Sequence, residues 1–122
     1  MTTTVSQDEI LQILNTLKTH GVRSVALTTL EGRSLGSTVT ESGPRFKLGA
    51  LSAAAVAIGT KTSGELALGS LDQVTILGTS GALLLGAVGQ KALLSVVVDK
   101  LPDFTPIVRE MKRVTVLLSG MV

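Results

Sequence analysis

The sequence predicts one α/β domain over residues 1–122, an α+β sandwich in the order α-β-β-α-β-β-β-α. Three observations carry this. Ser6-Gln7-Asp8-Glu9 has the form of a capping box and leads into Ile10, Ile13, Leu14 and Leu17 at helical spacing. A long central segment is periodic in residue size instead of polarity. Three apolar runs then follow with turns of two or three residues between them, connections so short that the runs must pair antiparallel. At this length a single core is the expected arrangement.

The first helix starts at the capping box and is closed by Gly21, directly after His20, because glycine takes the left-handed conformation that ends a helix. Val22 to Leu30 is small, β-branched or aliphatic, and Glu31-Gly32-Arg33 turns it back through Ser34 to Thr38 as a β-hairpin. Residues 39–46, with Ser42-Gly43-Pro44, read as a loop. From Phe46 to Leu68 a helix is predicted with two buried sides. Leu48, Leu51, Ala55, Ile58, Thr62 and Leu66 form a large stripe suited to packing on a sheet, and Ala50, Ala53, Ala57 and Gly64 a small stripe that lets a second backbone approach. Leu71 to Thr79, Ala82 to Val88 and Ala92 to Val98 are strands whose near-continuous apolar content predicts helices on both faces of the sheet. Thr105 is placed to cap a last helix with Pro106 at its first position and Phe104, Ile107, Val108, Met111, Val114 and Leu118 on its apolar side.

Hydrophobic residues make up 44% and charged residues 16%, which leaves too little polar side chain to cover a lone domain and predicts a protein partner. The net charge of +2 is a small surplus with no basic run, and two Phe with no Tyr or Trp give no stacking platform, so nucleic-acid binding is not expected. The absence of cysteine removes disulfides and thiolate chemistry, and Met1 to Glu9 lacks the profile of a secretory signal, which together favour a cytoplasmic protein. Gln73 to Gln90 carries no charge, yet Gly78, Gly81, Gly86 and Gly89 and several polar residues interrupt it. Two buried strands explain it, and membrane insertion is not expected.

The residues offer little catalytic chemistry. Gly59-Thr60-Lys61-Thr62 lacks the contiguous Gly-Lys-Ser/Thr and the earlier glycine of a phosphate loop, and it lies within a helix. Gly81, Gly86 and Gly89 do not have dinucleotide-binding spacing and lie on strands. His20, the single histidine, suits the last turn of a helix, and one His without Cys argues against a transition-metal site. No serine has nucleophile-elbow context. Neither enzymatic activity, cofactor nor metal is expected.

The run of a helix ending at Gly21-Val22, the hairpin at Leu30-Glu31-Gly32-Arg33, the small-residue central helix and the strand Leu84-Leu85-Gly86-Ala87-Val88-Gly89 resembles the Roadblock (dynein light chain, Roadblock-type) family over roughly residues 6–119. The resemblance implies a five-stranded antiparallel sheet of order 2-1-5-4-3, with the central helix on one face and the terminal helices on the other. It also implies a homodimer built on the third strand and the central helix. Some members, such as the mutual-gliding-motility B type, regulate a Ras-like GTPase; others are structural adaptors in larger assemblies. No catalytic signature is carried over.

On that strand order the third strand is an edge, and Val74-Thr75-Ile76-Leu77 has no charge or proline to protect it. The expected dimer interface is therefore Ala50, Ala53, Ala57, Gly64, Val74, Thr75, Ile76 and Leu77. Arg45, Lys47, Lys61 and Glu65 are expected to frame a seat for a small Ras-like GTPase. The competing expectations are an adaptor without effect on nucleotide turnover and, third, a small enzyme.

Overall fold

The predicted order of elements holds in the computed structural model, which describes residues 7–19, 21–101 and 103–122. The elements are α1 (Gln7–Asn15), β1 (Val22–Thr29), β2 (Ser34–Ser37), α2 (Ser42–Glu65), β3 (Gln73–Leu77), β4 (Gly81–Val88), β5 (Ala92–Asp99) and α3 (Thr105–Ser119). The strands form one antiparallel sheet, β2-β1-β5-β4-β3.

Alternation along the central strand β5 sets the layers. Leu94, Val96 and Val98 enter the main core with Ile10, Leu14 and Leu17 from the α1 segment and Ile107, Met111, Val114 and Leu118 from α3. Ser95 points the other way, and its hydroxyl donates to the Ser52 hydroxyl of α2 at 2.9 Å. Hence α1 and α3 cover one face and α2 the other, and β5 is buried along nearly its whole length.

β3 is shorter than the expected Leu71–Thr79 and α2 ends at Glu65 instead of Leu68; three further differences have a local reason. The first helix stops at Asn15; Thr16, Leu17 and Lys18 continue as tightened turns, each N–H bonding the carbonyl three residues back. Gly21 then turns the chain with φ +87. Ser6 and His20, expected as cap and last helical residue, lie outside the described residues. The expected loop over 39–46 is largely helix, since α2 begins at Ser42. Pro44 is tolerated there because the first N–H groups of a helix have no intrahelical partner, and the first regular bond runs from the Arg45 N–H to the Glu41 carbonyl at 3.1 Å. At α3, Thr105 is not the cap. Asp103 accepts from the Thr105 N–H at 2.9 Å, and the hydrogen bonds from Thr105 hold its carboxyl below the usual range.

The faces of α2 are the largest correction. The buried residues are Gly49, Ser52 and Ser63, with Val56 and Gly59 half-buried, a 3-4-3-4 spacing of mostly small residues against the sheet. Most of the stripe expected to pack on the sheet is instead outside: Leu51 is 58%, Ile58 69% and Leu66 64% exposed, while Leu48 and Ala55 are half-buried. Close approach is the cause. A Cβ on Gly49 would collide with the Gly32 carbonyl oxygen, and one on Gly32 would lie 2.7 Å from the Gly49 carbonyl oxygen. Leucine on that side would lift the helix off the sheet.

The contacts also fix the direction of α2. Gly49 lies against Thr28 at the end of β1, Ser52 against Ser95 of β5, and Gly59 against Val74 at the start of β3. Ten residues of helix rise about 15 Å. Three strand spacings are about 14 Å. The helix therefore crosses the strands almost at right angles, from the end of β1 to the start of β3, and Ser63 beyond that point is still buried.

Gly49→Ala is expected to destabilise the fold by about 1–3 kcal/mol through this overpacking. Gly64→Ala, at a helical position where an added Cβ meets nothing, is expected to stabilise it by up to about 1 kcal/mol. Urea denaturation of both variants checks the opposite signs. For the buried hydroxyl pair, Ser52→Ala alone is expected to cost about 1–3 kcal/mol by orphaning Ser95, and Ser52→Ala with Ser95→Ala less than the single change; a double-mutant cycle in the same assay reads the difference.

Candidate functional site

The two edges of the sheet are not equivalent. β2 is four residues long, and its pairing with β1 steps from Leu27↔Gly36 to Thr28↔Ser34, so Leu35 is an extra, bulged residue. Bulges, brevity and glycine blunt an edge against further pairing. β3 pairs with β4 without a break from Gln73↔Gly86 to Leu77↔Ala82, and it carries no charge. Ile76 is 50% and Leu77 68% exposed. Edge-strand pairing is thus open at β3.

Because α2 crosses only one end of the sheet, the other end of the same face is bare. Ser24, Val97, Leu83 and Ile76 stand side by side across β1, β5, β4 and β3, and none is fully buried. Three of them floor an open depression of about 400 Å³ rimmed by Arg23, Thr79 and Ser80. Arg23 is held there: its Nη2 donates to the Ser80 carbonyl at 3.0 Å and its Nε to Asp99. An apolar row bounded by polar groups and running out to an open edge is the anatomy of a protein interface.

The flanks of α2 divide in the same way. Phe46 and Ala50 line a recess with Glu31, Gly32 and Arg33, at the end of the sheet away from the bare row. Ala57 and Gly64 follow at seven-residue intervals and share that flank. Leu51, Ala55, Ile58 and Thr62 form the opposite flank, which looks back over the bare row. Ala53 and Val74 are half-buried, and Ala50, Ala57, Gly64, Thr75, Ile76 and Leu77 are exposed. Ala50 lies by the β1–β2 turn, whereas Val74 meets α2 nine residues farther along, at Gly59. The signal in the sequence was the 3-4-3-4 spacing of Gly49, Ser52, Val56, Gly59 and Ser63.

The four expected charges are all exposed but do not frame one compact seat in a single chain. Lys47 and Lys61 are fourteen residues apart, about 21 Å of helix. Lys61 and Glu65 sit past Gly59 at the β3 edge, and Arg45 sits at the far end, lining the groove along Ser34, Leu35, Gly36 and Ser37 with Gln7 and Asp8. On α2 the outermost positions are Lys47, Ala50, Ala54, Ala57, Lys61 and Glu65, a flat row of small side chains bordered by charge.

Among the described residues no group of three or more His, Cys, Asp or Glu side chains is placed to hold a metal ion. No helix among them is long and apolar enough to cross a membrane.

Comparison with known proteins matches these features to one family. The profile of the Roadblock/LC7 domain matches residues 9–99. The fold is similar to a Roadblock/LC7 domain from Streptomyces avermitilis, with a TM-score of 0.84 at 16% identity over 90% of this chain and 94% of that one. It is also similar to MglB from Myxococcus xanthus, with a TM-score of 0.82 at 17% identity over 93% and 94%. The gliding protein mglB of Thermus thermophilus gives 0.83 at 17% identity over 97% and 93%. No curated protein sequence matches the chain.

Proposed function

Since the chain belongs to the Roadblock/LC7 domain family, we propose that it is a non-enzymatic, cytoplasmic homodimer whose paired α2 helices dock on a small Ras-like GTPase. The observation that carries this reading is the open β3 edge beside the bare half of the sheet. The Gly78 N–H bonds the Gly81 carbonyl at 2.8 Å, so antiparallel alternation gives the backbone groups of Val74 and Ile76 to β4 and turns those of Gln73, Thr75 and Leu77 outward. Two β3 strands pairing about Thr75 set Gln73 against the partner's Leu77 and Val74 beside the partner's Ile76.

That pairing needs a twofold axis normal to the sheet, which leaves both α2 helices on one face, antiparallel and side by side. Each crosses its own sheet at the Val74 end, and the axis carries that end to the Ile76 end of the other chain. Each helix then covers the Ile76, Leu83 and Val97 row that the other chain leaves bare. The seam in this arrangement centres on Ile58 and Thr62. Removing Ile58 and the exposed β3 side chains Ile76 and Leu77 from water supplies the driving force, since apolar burial is worth about 25 cal/mol per Å².

The outward row of the joined helices is the proposed GTPase seat: small and mostly apolar, with Lys61 and Glu65 near the axis and Lys47 farther out. Arg45 is too peripheral, and too far from the axis, to act as an arginine finger. The partner is expected to gain activity through ordering of its own switch residues, with a preference for its GTP-bound state.

Thr75→Pro removes an outward N–H without touching the β4 ladder, and Ile76→Lys adds an edge charge; either is expected to give monomer by multi-angle light scattering, and a dimer of unchanged mass in both would overturn the arrangement. In single-turnover hydrolysis by a cognate GTPase, Arg45→Ala is expected to weaken binding by less than about tenfold and to leave the rate at saturation unchanged, and Lys61→Glu to weaken binding more. Binding without any change in hydrolysis would assign the adaptor role instead.

A further inference from the structure

The arginines of the chain are not equally engaged. Of the five, Arg23 pairs with Asp99, Arg113 pairs with Glu110, and Arg109 acts electrostatically on Asp103. Arg33 and Arg45 are in no ion pair among the described residues, and both line the recess of about 300 Å³ between the β1–β2 turn and the start of α2. Its apolar wall is Phe46, 75% exposed and the most exposed large hydrophobic side chain among the described residues. The core does not need it: the other phenylalanine, Phe104, is the one that packs there.

The recess is built by the close contact of α2 with the β1–β2 turn. Gly32, at φ +93, sets its carbonyl against Gly49. The turn is tied back to Thr29, whose carbonyl accepts from the Gly32 N–H at 3.0 Å and whose hydroxyl accepts from the Arg33 N–H at 3.1 Å. Arg45 and Phe46 stand four and three residues before Gly49, so they lie on its side of α2, one turn nearer the start of the helix and beside the β1–β2 turn. Both arginine backbones are therefore fixed before any partner arrives, and only side-chain freedom is left to lose on binding.

The geometry points to a docking site for an acidic segment of a partner protein, with an aspartate or glutamate between the Arg33 and Arg45 guanidiniums and a large apolar side chain beside it on Phe46 and Ala50. A planar guanidinium matches a carboxylate with two parallel hydrogen bonds, and arginine and aromatic side chains are where binding energy concentrates at protein interfaces. At the lower end of small-molecule pockets, about 300–1,000 Å³, and open on one side, the recess seats a protruding side chain and does not enclose a ligand. At Ser34 and Arg45 it runs into the mostly polar groove of about 360 Å³ along β2, where a polypeptide leaving the apolar seat meets hydroxyl and backbone groups. Glu31 on the rim opposes such a segment, but two cations stand against this one acid, and it holds neither of them in an ion pair. Asp8 lines the groove and not the recess, which confines the preference for an acid to the recess. About 20 Å of helix separates Arg45 from Ile58 at the proposed seam, so the site does not rest on the dimer, and a dimer carries it twice.

Fluorescence anisotropy of the purified full chain with three labelled synthetic peptides of equal length tests this: one alternates Glu and Leu, one Glu and Ser, and one Lys and Leu. Saturable binding is expected for the Glu-Leu peptide only, weakening as salt is added. Arg33→Ala with Arg45→Ala, and Phe46→Ala alone, are each expected to lower its affinity by about tenfold or more, with circular dichroism unchanged. Glu31→Gln is expected to raise the affinity severalfold, because it removes a like charge from the rim. Arg109→Ala, on α3, is expected to bind like the parent chain. Thr75→Pro is expected to be monomeric and to keep the parent affinity, so failure of the dimer and failure of this site are read apart. Absence of saturable binding, or an affinity that the Arg33, Arg45 and Phe46 changes leave unaltered, overturns the proposal. Equal binding of the Glu-Ser peptide overturns it in favour of a general anion site, and equal binding of the Lys-Leu peptide in favour of an unselective apolar patch.

Discussion

The separation of α2 from the sheet is the constraint on which the rest of the molecule depends. Gly49 against Gly32, and Ser52 hydrogen-bonded to Ser95, bring the helix backbone nearly onto the strands. Closeness on that scale is possible only for small side chains, so the larger ones have to turn elsewhere. Leu51, Ile58 and Leu66 end up in water because the sheet side has no room for them, and a helix of this composition leaves the chain with apolar surface that it cannot bury alone.

The crossing direction adds to this. A helix perpendicular to the strands covers one end of a sheet face and leaves the other end open, here the Ile76, Leu83, Val97 row. The two sheet edges then differ in what they can accept. The bulge at Leu35 blunts β2, while β3 keeps an unbroken register and an uncharged run. The exposed helix flank and the half-covered row follow from this geometry, and the row ends at Ile76 on the open edge. That coincidence is what supports a second copy as the occupant.

The opposite face is built by different means. There the core is closed by leucine, isoleucine, valine and methionine from α1 and α3, in ordinary amphipathic register, and the outer side of α3 carries ion pairs. A five-stranded sheet with one face shaped by small residues and the other by large ones has two surfaces of unlike chemistry. The first is apolar; the second is charged with both signs.

Periodicity and turn chemistry in the sequence by themselves determined the number, type and order of the elements, because these depend on contacts within a few residues. The antiparallel pairing of β3, β4 and β5 followed from turns too short for anything else. The apolar side of α3 was equally legible, since Ile107, Met111, Val114 and Leu118 contrast with charged neighbours. The orientation of α2 was not, because nearly every residue around that helix is apolar or small and polarity gives no direction. Size suggested that the leucine stripe met the sheet, and only tertiary structure decided otherwise, through the Gly32 carbonyl that excludes a Cβ at position 49. The start of α2 at Ser42 was hidden for a related reason: Gly43-Pro44 reads as a turn unless it is known that both fall in the first turn of a helix, where neither costs a hydrogen bond. The bare row across Ser24, Val97, Leu83 and Ile76 joins residues from four strands. Its existence depends on register and on where a helix crosses, which no local pattern encodes.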